Sequence, residues 1–463
     1  MNAHAIAASA AGLNDPAVTT SIATAAADLR YEDLPADAVE LVRQCVLDTL
    51  GVAVAGAADP TTELVRQLCL AEGASPASTL LCHDARLSPR QAALVNGTAA
   101  HALDYDDCNL TMPGHVSAAV LPAVLALAEA RQATGRDLVT AFAAGFEAGC
   151  SVGAVIAPGH YDRGFHATGT NGTLGAAAGS ARLLGLSPQA TAHALGIAAT
   201  TAAGLKGLFG TMCKPFHAGR AAENGVLAAE LAAAGFLART DALECRQGYA
   251  STHSPDFDPS QAAWRPARGW HLFNNLFKFH AACYGTHGAI ECALRLRALP
   301  ELHPRAIESL VLEVAVDNDK TCNIPSPASA AQARFSLRHV VAMALAGHDT
   351  SSAAAYGSTS LDDAEVSRLR ELTEVRLVKG VNIAHSFLTA TLRDGSTRRV
   401  EVDAGQPAQD LSAQRRKLEQ KFQALVTPVL GEARCMALQD AIGRLEKLDS
   451  VADLVALRGL DPA

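Results

Sequence analysis

From about residue 17 to residue 265, apolar positions recur every three or four residues, the period of helices that bury one face. Pro35 opens one such helix through AVELVRQCVLDTLGVAVAG, with Val39, Val42, Val46, Leu47 and Leu50 as its stripe. Ser88-Pro89 pairs a capping serine with a proline at the first helical position and starts a helix running towards Tyr105. Ser117 is placed to cap the next, AAVLPAVLALAEARQATG, which ends at Gly135. Further helices are predicted at 136–156, 170–184, 187–204, 218–234 and 240–248, separated by short turns with Gly or Ser-Pro.

Near residue 266 the period changes. In ESLVLEVAVDND (308–319) Leu310, Leu312, Val314 and Val316 alternate with other residues, which predicts a strand. FSLRHVVAMALAG (335–347) is helical and TEVRLVKG (373–380) strand-like. In 385–403, two β-branched runs flank Asp394-Gly395, a hairpin signal. Helical patterns return after Pro407. The predicted fold is mainly α. A large all-helical domain (1–265 and 406–463) is interrupted by a smaller α+β lid domain at 266–405, and a ligand is expected in a cleft between domains.

A length of 463 residues suits two cores, and 49% apolar against 18% charged residues is a folded balance. Aromatics at 5% leave the core to Ala, Leu and Val, which let helices approach closely. The net charge of -9 argues against a nucleic-acid or anionic-membrane surface, while leaving room for a few buried cations to receive a small anion. Eleven cysteines without a CxxC pair fit a reducing compartment with neither a disulfide framework nor a zinc site. The first Lys or Arg is Arg30, so the basic region of a signal peptide is missing; the expected location is cytoplasmic. The long uncharged stretches 164–181 and 183–205 are broken by Gly, Thr, His, Asn or Pro and read as core helices.

Four segments carry concentrated polar chemistry. HALDYDDCNLTMPGH (101–115) brings three carboxylates and two histidines into an apolar neighbourhood; alone, it fits a solvated loop as well as a site. The glycines of GFHATGTNGTLGAAAG (164–179) match no phosphate-loop spacing and predict close helix packing, with His166 either a site residue or a core histidine. In KPFHAGRAAENG (214–225), Lys214 and His217 precede a helix whose N-terminus attracts anions. In KFHAACYGTHGAIECAL (278–294), His280, Tyr284 and His287 are spaced to share one helical face. Without HExxH or another recognised ligand spacing, acid–base and hydrogen-bonding roles are preferred to metal ligation.

At these segments, with VLPAVLALAE and CNIPSPASAAQARFSL, the sequence resembles the MmgE/PrpD family, in the family's order and over most of the chain. The resemblance implies a helical domain with an α+β lid, usually a homodimer, no metal or organic cofactor, and a di- or tricarboxylate substrate. Carried over singly, Asp104 matches the first Asp of HxxDxDD, Lys214 the Lys of KPxHxG, and Lys278 the Lys opening the fourth segment. His115 matches the His after HxxDxDD, with one extra residue between. Asp104, His115, Lys214 and Lys278 are therefore the catalytic candidates; Cys108, His166, His217, Cys283, Tyr284 and His287 are the substrate-binding candidates. Asp106 and Asp107 are read as capping or solvating the turn, and His101 as packing on its helix. Where cis-aconitate decarboxylase has Thr, His and Tyr, this chain has Cys108, Cys283 and, at about that position, Thr321.

The implied chemistry is proton transfer at a carbon next to a carboxylate, which needs a positioned base and cations where charge accumulates. His115, with an unperturbed pKa of about 6.5, is the expected proton carrier, and Asp104 its orienting partner. A 2-methylcitrate dehydratase-like hydro-lyase comes first in this ordering. An iminodisuccinate-type epimerase and a cis-aconitate-type decarboxylase follow. The rival from another class is a non-catalytic helical binding protein.

Overall fold

A computed structural model describes residues 17–262, 269–300 and 302–455. The chain divides into two compact units: Met1–Ala102, Asp106–Asn275 and Ala408–Ala463 form the first, Leu103–Tyr105 and Leu276–Pro407 the second. The expected boundary at 265/266 lies outside the described residues. The tripeptide 103–105, grouped with the second unit, had no signal in the periodicity.

The first unit is helical. Its main helices are Ala36–Gly56, Pro89–Ala102, Val116–Ala130, Gly135–Val155, Ala167–Leu183, Pro188–Thr201, Cys213–Ala233 and Leu411–Leu430. Gly135–Val155 is long and apolar enough by length and composition to cross a membrane, and it is buried in the protein. Small residues set the packing distance. A Cβ on Gly145 would stand 2.7 Å from the Gly175 carbonyl oxygen, so Gly135–Val155 and Ala167–Leu183 cross backbone to backbone, as the glycine spacing predicts. A Cβ on Gly97 would stand 2.9 Å from the Gly219 Cα, so Pro89–Ala102 and Cys213–Ala233 are equally close. The later helix Leu411–Leu430 packs on Ala36–Gly56, with the Phe422 ring over Gly51.

The second unit holds a four-stranded sheet in the order Thr373–Val378, Ile307–Ala315, His385–Leu392, Thr397–Asp403. The first pair is parallel, with Leu310 opposite Thr373; the others are antiparallel, with Leu312 opposite Leu388. Leu310, Leu312, Val314, Leu388 and Ala390 are buried. Helices His287–Arg297 and Leu337–Ala346 pack against the sheet. Val316, assigned to that face by alternation, lies past the strand end and is exposed.

Several local expectations shift. Residues 240–248 form turns rather than a helix; Gln247 takes a left-handed conformation (φ 61°) that interrupts helical hydrogen bonding. Val116–Ala130 is preceded by His115 at the cap, and the Ser117 hydroxyl donates to Asp107 instead. Lys214 and His217 lie inside the helix Cys213–Ala233 rather than before it. His280 and Tyr284 precede the helix that His287 begins, so the three share no helical face.

Candidate functional site

The first unit gathers its chemistry at the ends of four helices. His101 stands in the last turn of Pro89–Ala102, His115 just before Val116–Ala130, His166 just before Ala167–Leu183, and Lys214 in the first turn of Cys213–Ala233. The glycine crossing at 97 and 219 brings the Lys214 Nζ to 3.0 Å from His101 Nε2. The loop before His115 is closed by paired backbone hydrogen bonds between Asn109 and Gly114, and the His115 N–H donates to Thr168 Oγ1 at 2.9 Å. Gly114 fits because a Cβ there would meet Thr168 N at 3.0 Å.

Asp106 is the centre of this arrangement. Fully buried, it places one oxygen 2.9 Å from His101 Nδ1 and the other 3.1 Å from His115 Nδ1. Both imidazoles are therefore held with Nδ1–H towards the carboxylate. His115 Nδ1 also donates to the Asp107 carbonyl at 2.8 Å, which accepts only, so in this tautomer Nε2 is the His115 nitrogen able to accept a proton. Burial opposes ionisation of Asp106, yet the His101 and His115 contacts hold its carboxyl well below the usual range. Burial pushes His101 down to about 3 against the pull of Asp106, with Lys214 adding to the depression. His101 is thus a neutral relay between the Asp106 carboxylate and the Lys214 ammonium.

His166 is almost completely buried, and its ring stacks on His101 at 5.8 Å. Its Nδ1 lies 3.1 Å from His217 Nδ1, while Nε2 is buried with no hydrogen-bond partner. Burial first, then Lys214, keeps it well below the ordinary histidine range. A neutral imidazole with an unmatched buried nitrogen has capacity for an incoming polar group. His217 is half-buried and shifted down by burial and then Lys214.

Beneath them lies Asp107, fully buried, accepting from Ser117 Oγ at 2.6 Å and Asn275 Nδ2 at 2.8 Å. Burial and then Asp48 push its carboxyl up to about 7. His101, Asp106 and His115 offer metal-binding donor types. The separations between them are hydrogen-bond lengths, and Lys214 Nζ meets the other nitrogen of His101.

The second unit holds a buried pair. Lys278 Nζ donates to Asp104 Oδ1 at 2.6 Å and to the Asp104 carbonyl at 2.7 Å. Asp104 sits at φ 50°, a left-handed conformation that this double contact holds in place. Asp104 pairs with Lys278, and Asp106 is the carboxylate that holds His115 Nδ1. Cys283 is buried, and its N–H donates to the Arg334 carbonyl. Cys322, buried nearby, forms a thiol–thiol hydrogen bond with Cys283. The Tyr284 hydroxyl donates to the Ala404 carbonyl at 2.5 Å, and His287 Nε2 lies 3.3 Å from the Ala282 carbonyl. His280 is held between Thr350 and Glu291. Thr321 donates to the Asp317 carbonyl. Cys108 is buried in the first unit beside Asn109.

Sequence reasoning did not foresee that His101, Asp106 and Asp107 belong to this buried cluster. A signal was present: no Lys or Arg occurs between Arg90 and Arg131, so buried acids there have only His101 and His115 within the segment to meet them.

Residues 20–262 match the family model described as the MmgE/PrpD N-terminal domain, and residues 280–447 the MmgE/PrpD C-terminal domain. The chain is 30% identical to a human cis-aconitate decarboxylase over 463 residues, covering 95% of this chain and 94% of that protein. It is 29% identical to the cis-aconitate decarboxylase of Mus musculus (95% and 93% covered) and 27% identical to that of Aspergillus terreus (95% and 95%).

Proposed function

The chain belongs to the MmgE/PrpD family and is a lyase, and from that premise we propose that it decarboxylates cis-aconitate or a closely similar unsaturated tricarboxylate without a cofactor. The observation that carries this reading is the carboxylate of Asp106 shared by two imidazoles, with Lys214 closing the line on His101. In such a reaction the bond to one carboxylate carbon breaks and carbon dioxide leaves. Its electron pair forms a new double bond. The pair of the old double bond moves to a carbon beside another carboxylate, and that carbon takes a proton. His115 Nε2 supplies the proton, with the resulting charges balanced through Asp106. Lys214 and Lys278 bind substrate carboxylates, where each charged hydrogen bond contributes roughly 1.5–3 kcal/mol. His166 and His217 hydrogen-bond the substrate. The acting form is a homodimer, and light scattering giving the mass of one chain would count against that.

Dehydration of a 2-methylcitrate-like acid, first in the ordering from sequence, becomes the second reading. The observation in its favour is that Cys108, Cys283 and Thr321 stand where a cis-aconitate decarboxylase has Thr, His and Tyr. The test is incubation with cis-aconitate, 2-methylcitrate and iminodisuccinate in deuterated water, followed by NMR. Loss of a carboxyl carbon with one deuterium gained on carbon supports decarboxylation. Water loss from 2-methylcitrate transfers the assignment to the hydro-lyase, and deuterium with inverted configuration to the epimerase. Neither turnover nor exchange on any of them removes the substrate class.

A further inference from the structure

Glu147 belongs to the helix Gly135–Val155, is fully buried, and turns its carboxyl to backbone amides. Oε2 accepts from the His271 N–H at 3.0 Å and Oε1 from the Leu272 N–H at 2.9 Å. The His271 carbonyl in turn accepts from Asn109 Nδ2 at 2.9 Å. Asn109 is fully buried, its Oδ1 accepts from the Thr111 N–H, and its backbone exchanges two hydrogen bonds with Gly114. His115 follows Gly114 directly. A line of hydrogen bonds thus runs from a core helix, across residue 271, to the neck of the loop that presents His115.

We propose that Glu147 is a positioning residue for His115, acting through His271 and Asn109; the catalytic part of this proposal rests on the lyase function above.

The donors at 271 and 272 explain why an acid is needed at 147. They are two successive N–H groups turned towards the interior, and a buried N–H without an acceptor is costly. A carboxyl group, ionised or protonated, has two oxygens that accept side by side, whereas an amide has one. Trp270 and Leu272 are buried, and the turn His271–Asn274 packs on Gly135–Val155, so apolar contact holds the segment to the helix while Glu147 fixes its register. The start of the loop is pinned independently, by Asn275 Nδ2 on Asp107 Oδ2 at 2.8 Å. Loosening the neck leaves His115 on its contacts with Asp106, the Asp107 carbonyl and Thr168, free to tilt about them. Turnover is then reduced rather than abolished. Because the line ends on the proton carrier and not on the carboxylate-binding lysines, the effect falls on turnover more than on substrate affinity.

The test compares Glu147→Gln, Asn109→Ala and the double variant in the full chain. Glu147→Gln keeps the size of the side chain and one acceptor. Asn109→Ala cuts the same line at its far end without touching the core helix, so one variant stays informative where the other folds poorly. Imidazole 15N NMR without substrate reads the geometry at His115 independently of any activity. The expected results are displaced His115 nitrogen signals in each single variant and, with cis-aconitate, a kcat lowered about tenfold with KM within about twofold. In the double variant the loss stays within about twofold of the larger single loss, because both changes cut one line. Unchanged His115 signals in a folded Glu147→Gln protein overturn the proposal whatever the substrate proves to be; where that variant does not fold, unchanged signals in Asn109→Ala do the same. Losses that multiply in the double variant overturn it as well, since they report two independent effects. Displaced signals that are no larger in the double variant support the structural link even if no tested acid is turned over, and in that case it is the assigned reaction that fails.

Discussion

Lys278 grips Asp104 twice, at the carboxylate (2.6 Å) and at the backbone carbonyl (2.7 Å), so one buried ammonium both neutralises the acid and fixes its left-handed turn. Removing one partner of a buried ion pair leaves the other uncompensated and typically destabilises by about 3–5 kcal/mol. Lys278→Ala should lower unfolding stability on that scale in urea titrations. Asp104→Asn/Lys278→Met should recover much of the stability without recovering turnover. Equal stability of Lys278→Ala and the native protein would mean that the pair is not closed in solution.

Asp106→Asn is the sharpest test of the proton relay. A carboxylate can accept from both Nδ1–H groups, whereas an amide presents one oxygen and one NH2, forcing His101 or His115 into the other tautomer. Turnover should fall by about 10²-fold or more, with far-UV circular dichroism unchanged. An Asp106→Asn enzyme with near-native kcat would remove Asp106 from the mechanism.

Much of the scaffold was legible in the residues, and the reasons are physical. The period of Ala36–Gly56 and the alternation of Leu310, Leu312 and Val314 report which face meets a core, a property of the local sequence. The division of labour within residues 101–115 depends on groups brought in from afar. Asp104 and Asp106 look equivalent in the chain; Lys278 claims one and two histidines claim the other. His101 resembled a helix-packing histidine because its partner Lys214 is 113 positions away and arrives only through the Gly97–Gly219 crossing. Asp107 and Asp48 were invisible as a pair for the same reason.

Lys214→Met should raise the His101 pKa from its depressed value of about 3, because the Lys214 charge is one cause of that depression. Burial remains the larger cause, so the shift is partial. An NMR titration of His101 measures it. A His101 pKa that stays put or falls further would contradict the 3.0 Å contact.

Stability should respond to pH from both sides. Burial holds His101 and His160 at about 3 in the folded protein, against about 6.5 unfolded, so the unfolded chain binds more protons between those values. Their contribution is present above about pH 6.5 and lost as pH falls towards 3. Glu147 works in the opposite direction. Burial pushes it up to about 8, against two backbone N–H donors from His271 and Leu272. Since its unfolded value is near 4.5, the folded state binds the extra proton, and its contribution is lost as pH rises from there through 8. Glu147→Gln should flatten the alkaline side of a melting-temperature profile; an unaltered slope between pH 6 and 8 would show that Glu147 is already ionised in the fold.

Where Leu411–Leu430 packs on Ala36–Gly56, the Lys421 Nζ lies 2.6 Å from Asp48 Oδ1 with both side chains buried, and this contact sets an order of assembly. A chain made from its N-terminus produces Asp48 early and Lys421 more than 370 residues later. Until then Asp48 has no ammonium to meet, and a carboxylate without one resists being taken out of water. The interior around Asp48 and Asp107 therefore closes last, when the final helices dock, although nearly all of its other residues emerged long before. A chain stopped after the sheet at Asp403 would hold Asp48, Asp107 and His115 and still lack the ammonium that meets Asp48.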